Sequence, residues 1–382
     1  MTNRFTLDGS DALEGELCKL TQDALAGVRA LIPKHRLQGL VLGGGYGRGE
    51  GGVLNTKHGH RPYNDLEFFV FLRGSTWLNE RKYRDPLHHL GEELSVKAGI
   101  EVEFKILSLE KFRASPVSMF YYDLISGHKI VTDDETLLSD CEHHRAAHRI
   151  PLYECSRLLM NRCSGLLFAL DRLQRNPFSA GDSDFVGRNI AKAQLAFGDV
   201  LLAACGQYHW SCRERHRRLP KLREEINAPW VEQICEEHTE GLLFKLHPQA
   251  ADEPACNFVE RHARLSELGR KLWLWLESRR LNSKFPNVRA YAFAPQKKCP
   301  EVHSIKARAI SARAFGISSL VQRGSHRYPR ERLLNALPLL LWDSEATREP
   351  AVAQFIQKQL RTSSIDYHEW VLAYQRIWGR FN

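Results

Sequence analysis

Two acidic side chains stand two residues apart at the start of an apolar run: Asp65-Leu66-Glu67, then Phe68, Phe69, Val70, Phe71 and Leu72. Such a run reads as a strand, and in a strand residues i and i+2 face the same way. Asp65 and Glu67 therefore set two carboxylates side by side at the strand's mouth. Adjacent carboxylates repel unless a cation stands between them. A third acid follows nearby. The stretch 99–107 (GIEVEFKIL) alternates like a half-buried strand and carries Glu101 and Glu103. Upstream, the apolar Leu40, Val41 and Leu42 run into Gly43, Gly44, Gly45, Gly47, Gly49, Gly51 and Gly52. Glycine at that density costs backbone entropy, and it serves where the chain takes positive φ or approaches another group closely.

The order is a strand, the turn Gly44-Gly45-Tyr46-Gly47-Arg48-Gly49-Glu50, a D-x-E strand and an acid strand, within residues 38–110. It resembles the nucleotidyltransferase superfamily of DNA polymerase β. The GGYGRGE spelling is most similar to bacterial protein-uridylyltransferases and small stand-alone nucleotidyltransferases. The resemblance implies that Asp65, Glu67 and Glu103 are the catalytic acids and hold two Mg²⁺ ions. Glu103 is preferred to Glu101 because Val102-Glu103-Phe104 sits where the family has apolar-acid-apolar. Gly44 and Gly45 would turn backbone N–H groups onto the phosphates of a nucleoside triphosphate. Arg48 would reach a phosphate oxygen, or else pair with Glu50.

The implied reaction moves a nucleoside monophosphate from ATP or UTP to a hydroxyl of a small molecule, protein or RNA, and pyrophosphate leaves. Three departures stand out: Gly45 where Ser is usual, Glu at the second and third acid positions, and a lengthened connector, Val53–Tyr63. They leave room for an alternative, a catalytically degenerate module on the same fold that binds nucleotide, protein or RNA.

The elements that must position these groups suggest an α+β chain. A small nucleotidyltransferase-like α/β domain with a mixed sheet is expected over residues 1–145, and an all-helical domain over 150–382. A helix over 11–31 is ended by Pro33, and one over 80–97 is stopped by Gly99. A short helix, a turn at Gly127 and a strand over 129–131 would close the sheet edge. The connector, with Lys57, His58, His60 and Arg61, reads as a surface loop near the phosphates. Helical periodicity then covers 154–173, 185–208, 259–276, 331–341 (kinked at Pro338), 351–360 and 367–378. Only 288–293 alternates like a strand. By resemblance to antibiotic-modifying nucleotidyltransferases, the polar residues Glu154, Arg157, Asn161, Arg162, Lys192 and Asp199 are candidates for acceptor contacts.

At 382 residues the chain is long enough for two domains, and its 18 Phe and 8 Trp are ample for two cores. No apolar run reaches the roughly 18–20 residues of a membrane helix, and residues 1–20 lack the apolar centre of a secretion leader. The expectation is a cytoplasmic protein without a membrane partner. Nine cysteines without a framework spacing read as reduced thiols. The pattern Cys205, His209, Cys212, His216 would lie along one helix face, where four ligands cannot converge on one zinc ion. The net charge of +9 suits handling of polyphosphates, although the excess is spread along the chain.

Overall fold

A computed structural model describes residues 4–132, 134–316 and 328–381. The fold is α+β, mostly helical, with one small mixed sheet of four strands. By its internal contacts the chain divides into two compact units. The first is Met1–Pro151 with Cys205–Leu222 and Leu242–Gln249, and the second is Leu152–Ala204, Arg223–Gly241 and Ala250–Asn382. The helical domain expected over 150–382 is therefore interrupted: 205–222 and 242–249 fall in the first unit, through long-range contacts that no local periodicity announces.

In the first unit, helix α1 (Asp11–Leu31) is capped by the Ser10 side chain and stops before Pro33. Strand β1 (Leu37–Leu42) feeds a single helical turn, α2 (Gly44–Gly47). The expected loop over 53–63 is instead a hairpin, β2 (Val53–Thr56) and β3 (Gly59–Pro62), turning at Gly59 with φ +103°. Two of its basic residues are engaged near α1: the Ser10 N–H donates to His60 Nδ1, and Arg61 pairs with Glu16.

Strand β4 (Leu66–Leu72) follows, then helix α3 (Thr76–Ala98) and β5 (Val102–Leu107). Gly99 ends α3 in the left-handed region at φ +68°. After α4 (Leu109–Ala114) and α5 (Met119–Ser126), the two-residue β6 (Lys129–Ile130) lies on the sheet edge. The strand order is β5-β4-β1-β6. The β4–β5 pair is parallel, and β1 runs antiparallel to β4 and to β6.

Strand alternation sorts the apolar residues onto two faces. Leu40, Leu42, Phe68 and Val70 pack with Leu13, Leu17 and Val28 of α1 and Leu87 and Leu94 of α3. Val41, Phe69 and Phe71 pack with Phe112 of α4 and Leu124 and Ile125 of α5. Both faces of β4 are therefore covered, which accounts for its nearly unbroken run of apolar residues.

The second unit is helical. It contains α6 (Leu152–Leu173), α7 (Ala180–Ala204) and α11 (Ala255–Arg280), with later helices at Ser304–Phe315, Pro329–Trp342, Pro350–Leu360 and Tyr367–Phe381. Between α7 and α11 in sequence lie α8 (Cys212–Arg218), which belongs to the first unit, α9 (Leu222–Ile226), and α10 (Trp230–Leu246), whose end from Leu242 also belongs to the first unit. Val288–Phe293, read as a possible strand, is a short helix. The Asn287 side chain accepts from the Ala290 N–H and starts it, a local cap that outweighs the alternation. Of the cysteine-histidine pattern, only Cys212 and His216 lie on a helix, because α7 ends at Ala204 and 205–211 is irregular. Among the described residues no helix is long and apolar enough to cross a membrane.

A candidate active site of three carboxylates

The register of one strand pair assembles the acids. β4 and β5 run parallel with Glu67 directly opposite Glu103, and Asp65 stands two residues before Glu67. Asp65, Glu67 and Glu103 each offer an oxygen within 4.8 Å of the others, the one such group of His, Cys, Asp or Glu ligands among the described residues. Glu101 is not part of it; its backbone carbonyl accepts the Leu66 N–H at 2.9 Å and joins the start of β5 to β4.

The Asp65 carboxyl is raised above the ordinary carboxylate range. Poor solvation at the strand mouth is the main cause, and the neighbouring Glu67 charge adds to it.

The glycine turn lies against these acids. The Gly43 N–H donates to the Glu67 carbonyl at 2.9 Å, which joins the start of the turn to β4. Gly44 has φ +62°, and a Cβ there would come within 2.7 Å of Glu67 Oε2. Only glycine satisfies both demands at this position. The turn closes on Gly47, whose N–H donates to the Gly43 carbonyl at 2.9 Å. The leading N–H groups of a helical turn, here those of Gly44 and Gly45, have no acceptor within the helix itself.

Tyr46 is fully buried beneath the turn. Its hydroxyl donates to the Gly52 carbonyl and accepts the Tyr63 N–H, both at 2.9 Å, so one side chain ties the turn to the segment that leads into Asp65. Burial pushes this phenol up to about 12.

Arg48 and Glu50 do not pair with each other. Arg48 bonds Asp123 at 3.2 Å. Glu50 is buried and accepts hydrogen bonds from the Ser211 hydroxyl and the Cys212 N–H at the start of α8. Burial by itself would raise the Glu50 carboxyl, but these donors outweigh it and hold it below the ordinary value. The glycine turn is thereby fastened to a segment more than 160 residues further along the chain.

Two cations that sequence reasoning did not single out flank the acids. Lys105 lies two residues past Glu103 on the same face of β5. Its Nζ is 2.7 Å from Glu67 Oε1 and 2.9 Å from Glu103 Oε2. Partial burial would lower this ammonium's pKa, yet the two carboxylates outweigh burial and raise it well above the ordinary lysine value. The signal was available, because the spacing that puts Glu103 beside Glu67 also puts Lys105 there.

Lys245, near the end of α10, comes from the other flank. Its Nζ would lie 3.2 Å from a Cβ on Gly45. Loss of solvation and then the nearby Arg48 lower its pKa, partly offset by Cys212 and Asp65, with Arg215 lowering it further. Lys245, Arg48 and Arg215 thus place three cationic side chains about the glycine turn. No local pattern marks Lys245, since it lies 180 residues beyond Asp65 in sequence.

The arginine-rich run 213–218 is largely consumed by structure. Arg215 is buried and donates to the carbonyls of His209 and Trp210, while Arg217 and Arg218 pair with Glu214. In the second unit the polar residues proposed for acceptor contacts differ in their surroundings: Arg162 lies near Asp199, and loss of solvation lowers its pKa despite that carboxylate. Asp199 is buried with its carboxylate 3.5 Å from His238 Nε2, whereas Arg157 and Lys192 are exposed.

No family model, curated protein or solved structure matches the chain.

Proposed function

We propose that the chain is a metal-dependent nucleotidyltransferase of the DNA polymerase β type, moving a nucleoside monophosphate from ATP or UTP to a hydroxyl of its acceptor. The observation that carries this reading is the placement of an oxygen from each of three carboxylates within 4.8 Å of the others, directly against a glycine turn where a Gly44 side chain would be strained and would press on Glu67. A set of three carboxylate oxygens fits Mg²⁺, a hard cation that takes oxygen ligands and few protein groups. Asp65, Glu67 and Glu103 would hold it, and when bound it would supply charge neutralisation and activation of the attacking hydroxyl.

The chain's own residues do the rest. Gly44 and Gly45 present N–H groups to the β- and γ-phosphates without side-chain obstruction. Lys245 and Arg48 supply positive charge beside that turn, where the leaving pyrophosphate gains its negative charge. Glu103 takes the proton of the attacking hydroxyl. The hydroxyl oxygen forms a bond to the α-phosphorus, the bond from the α-phosphorus to the bridging oxygen breaks, and pyrophosphate carries away the electron pair.

One observation favours the second reading, a degenerate binding module. Lys105 already neutralises part of the acid cluster, as a structural ion-pair network would. The two readings separate in one experiment. The protein is incubated with α-labelled ATP or UTP and Mg²⁺, and pyrophosphate release is compared between the wild type and Asp65→Asn. Release that needs Mg²⁺ and falls by at least about a hundredfold in a folded Asp65→Asn supports transfer. Nucleotide binding with no release under any divalent cation would leave the binding module.

A further inference from the structure

Lys105 occupies the position that a shared cation would take. Its Nζ touches one oxygen of Glu67 and one of Glu103, the two acids that the β4–β5 register sets face to face. The contact follows from the fold. Lys105 lies across from Phe69 in the same register, its Nζ 5.9 Å over that ring, so the side chain runs along the acid-bearing face and not away from it. Three carboxylates this close repel one another, and an ammonium bonded to two of them relieves that repulsion. The side chain is 44% exposed and borders an open groove of about 620 Å³ lined by Arg84, His88, Glu101, Glu103 and Lys105 itself. It can therefore leave the carboxylates without disturbing the core.

Resting on the nucleotidyltransferase reading above, we propose that Lys105 is an exchangeable internal counter-cation. It holds Glu67 and Glu103 together in the cation-free protein and must be expelled into the groove before a divalent cation can take their oxygens. The affinity of the site for a divalent cation is thus set by competition with a side chain of the same strand. Solvent-exposed charge pairs of this kind are each worth a few-fold in an equilibrium constant, so removal of both contacts amounts to roughly a tenfold gain.

The test is Mn²⁺ binding by the full chain, without nucleotide, followed by calorimetry and by loss of the free-ion electron paramagnetic resonance signal. It compares the wild type with Lys105→Met and Lys105→Arg. Met keeps the length and removes the charge, and thermal melts establish that each variant is folded. Expected are Mn²⁺ affinity about tenfold tighter in Lys105→Met, affinity near wild type in Lys105→Arg, and a melting temperature for Lys105→Met that is lower without metal but rises more on adding Mn²⁺. Equal or weaker binding by Lys105→Met than by the wild type overturns the exchange and leaves the metal-dependent reading intact. No Mn²⁺ binding by either protein at millimolar concentration overturns both.

Discussion

Gly44→Ala separates backbone strain from an effect on the site. The position has φ +62°, where an L-residue other than glycine pays about 1–2 kcal/mol. The added methyl would also stand 2.7 Å from Glu67 Oε2 and would have to regain about 3.4 Å for ordinary contact, so that carboxylate withdraws by about 0.7 Å. The displaced atom is the free end of a flexible side chain, so this movement costs little stability. Its cost falls on function, because a ligand constellation tolerates roughly 0.5 Å of error.

Gly99 supplies the control, with φ +68° and open space where its Cβ would go. Gly99→Ala is expected to lose the same 1–2 kcal/mol, a drop of a few degrees in Tm, and to leave Mn²⁺ binding unchanged. Gly44→Ala is expected to lose similar stability and, in addition, about tenfold or more in Mn²⁺ affinity. Thermal melts and Mn²⁺ titration of both variants decide the matter. If the two lose Mn²⁺ affinity equally, or neither loses any, the contact between turn and carboxylate plays no part in cation binding.

Three further expectations follow from the same geometry. Asp65 has a folded-state carboxyl raised above its unfolded value, so its contribution to stability is present at low pH and is lost as pH rises through that raised value. In chelator, Asp65→Asn is therefore expected to melt higher than wild type at neutral pH, with the difference vanishing in acid; equal melts at both pH values would refute it. Glu50 has the opposite sign. Its depressed carboxyl stabilises above the ordinary Glu range and loses that contribution as pH falls through the folded value. Glu50→Gln should cost about 1–3 kcal/mol at neutral pH and flatten the acid limb of the stability curve, read by urea unfolding. Lys245→Met should weaken triphosphate binding while leaving Mn²⁺ affinity within about twofold, as a phosphate contact requires; an equal loss for both ligands would place Lys245 among the supports of the acid cluster instead.

The parts of the site legible in the sequence are those made by short-range pattern. The D-x-E pair and the alternation of 99–107 placed Asp65, Glu67 and Glu103 on neighbouring strands, and the parallel register puts Glu67 opposite Glu103. The hairpin over 53–62 was not legible, because its strands are short and polar and lack the apolar alternation by which strands are recognised. The short helix at Val288–Phe293 was obscured for the converse reason, a few alternating residues with the decision resting on the Asn287 cap. Lys105 could have been read from its spacing alone. Lys245, Ser211 and Cys212 could not, since their roles depend on contacts spanning more than 100 residues.

The tie from buried Glu50 to the start of α8, together with the approach of Lys245 to Gly45, makes the first unit discontinuous in sequence. Its modularity is spatial and not genetic. A fragment ending at residue 151 would keep all three acids and the whole sheet, yet would strip the Glu50 carboxylate of its Ser211 and Cys212 donors and remove Lys245 from the flank of the turn. A substitution at the glycine turn and one in 205–222 or 242–249 therefore act within the same compact unit, although the two stretches lie more than 150 residues apart in the chain.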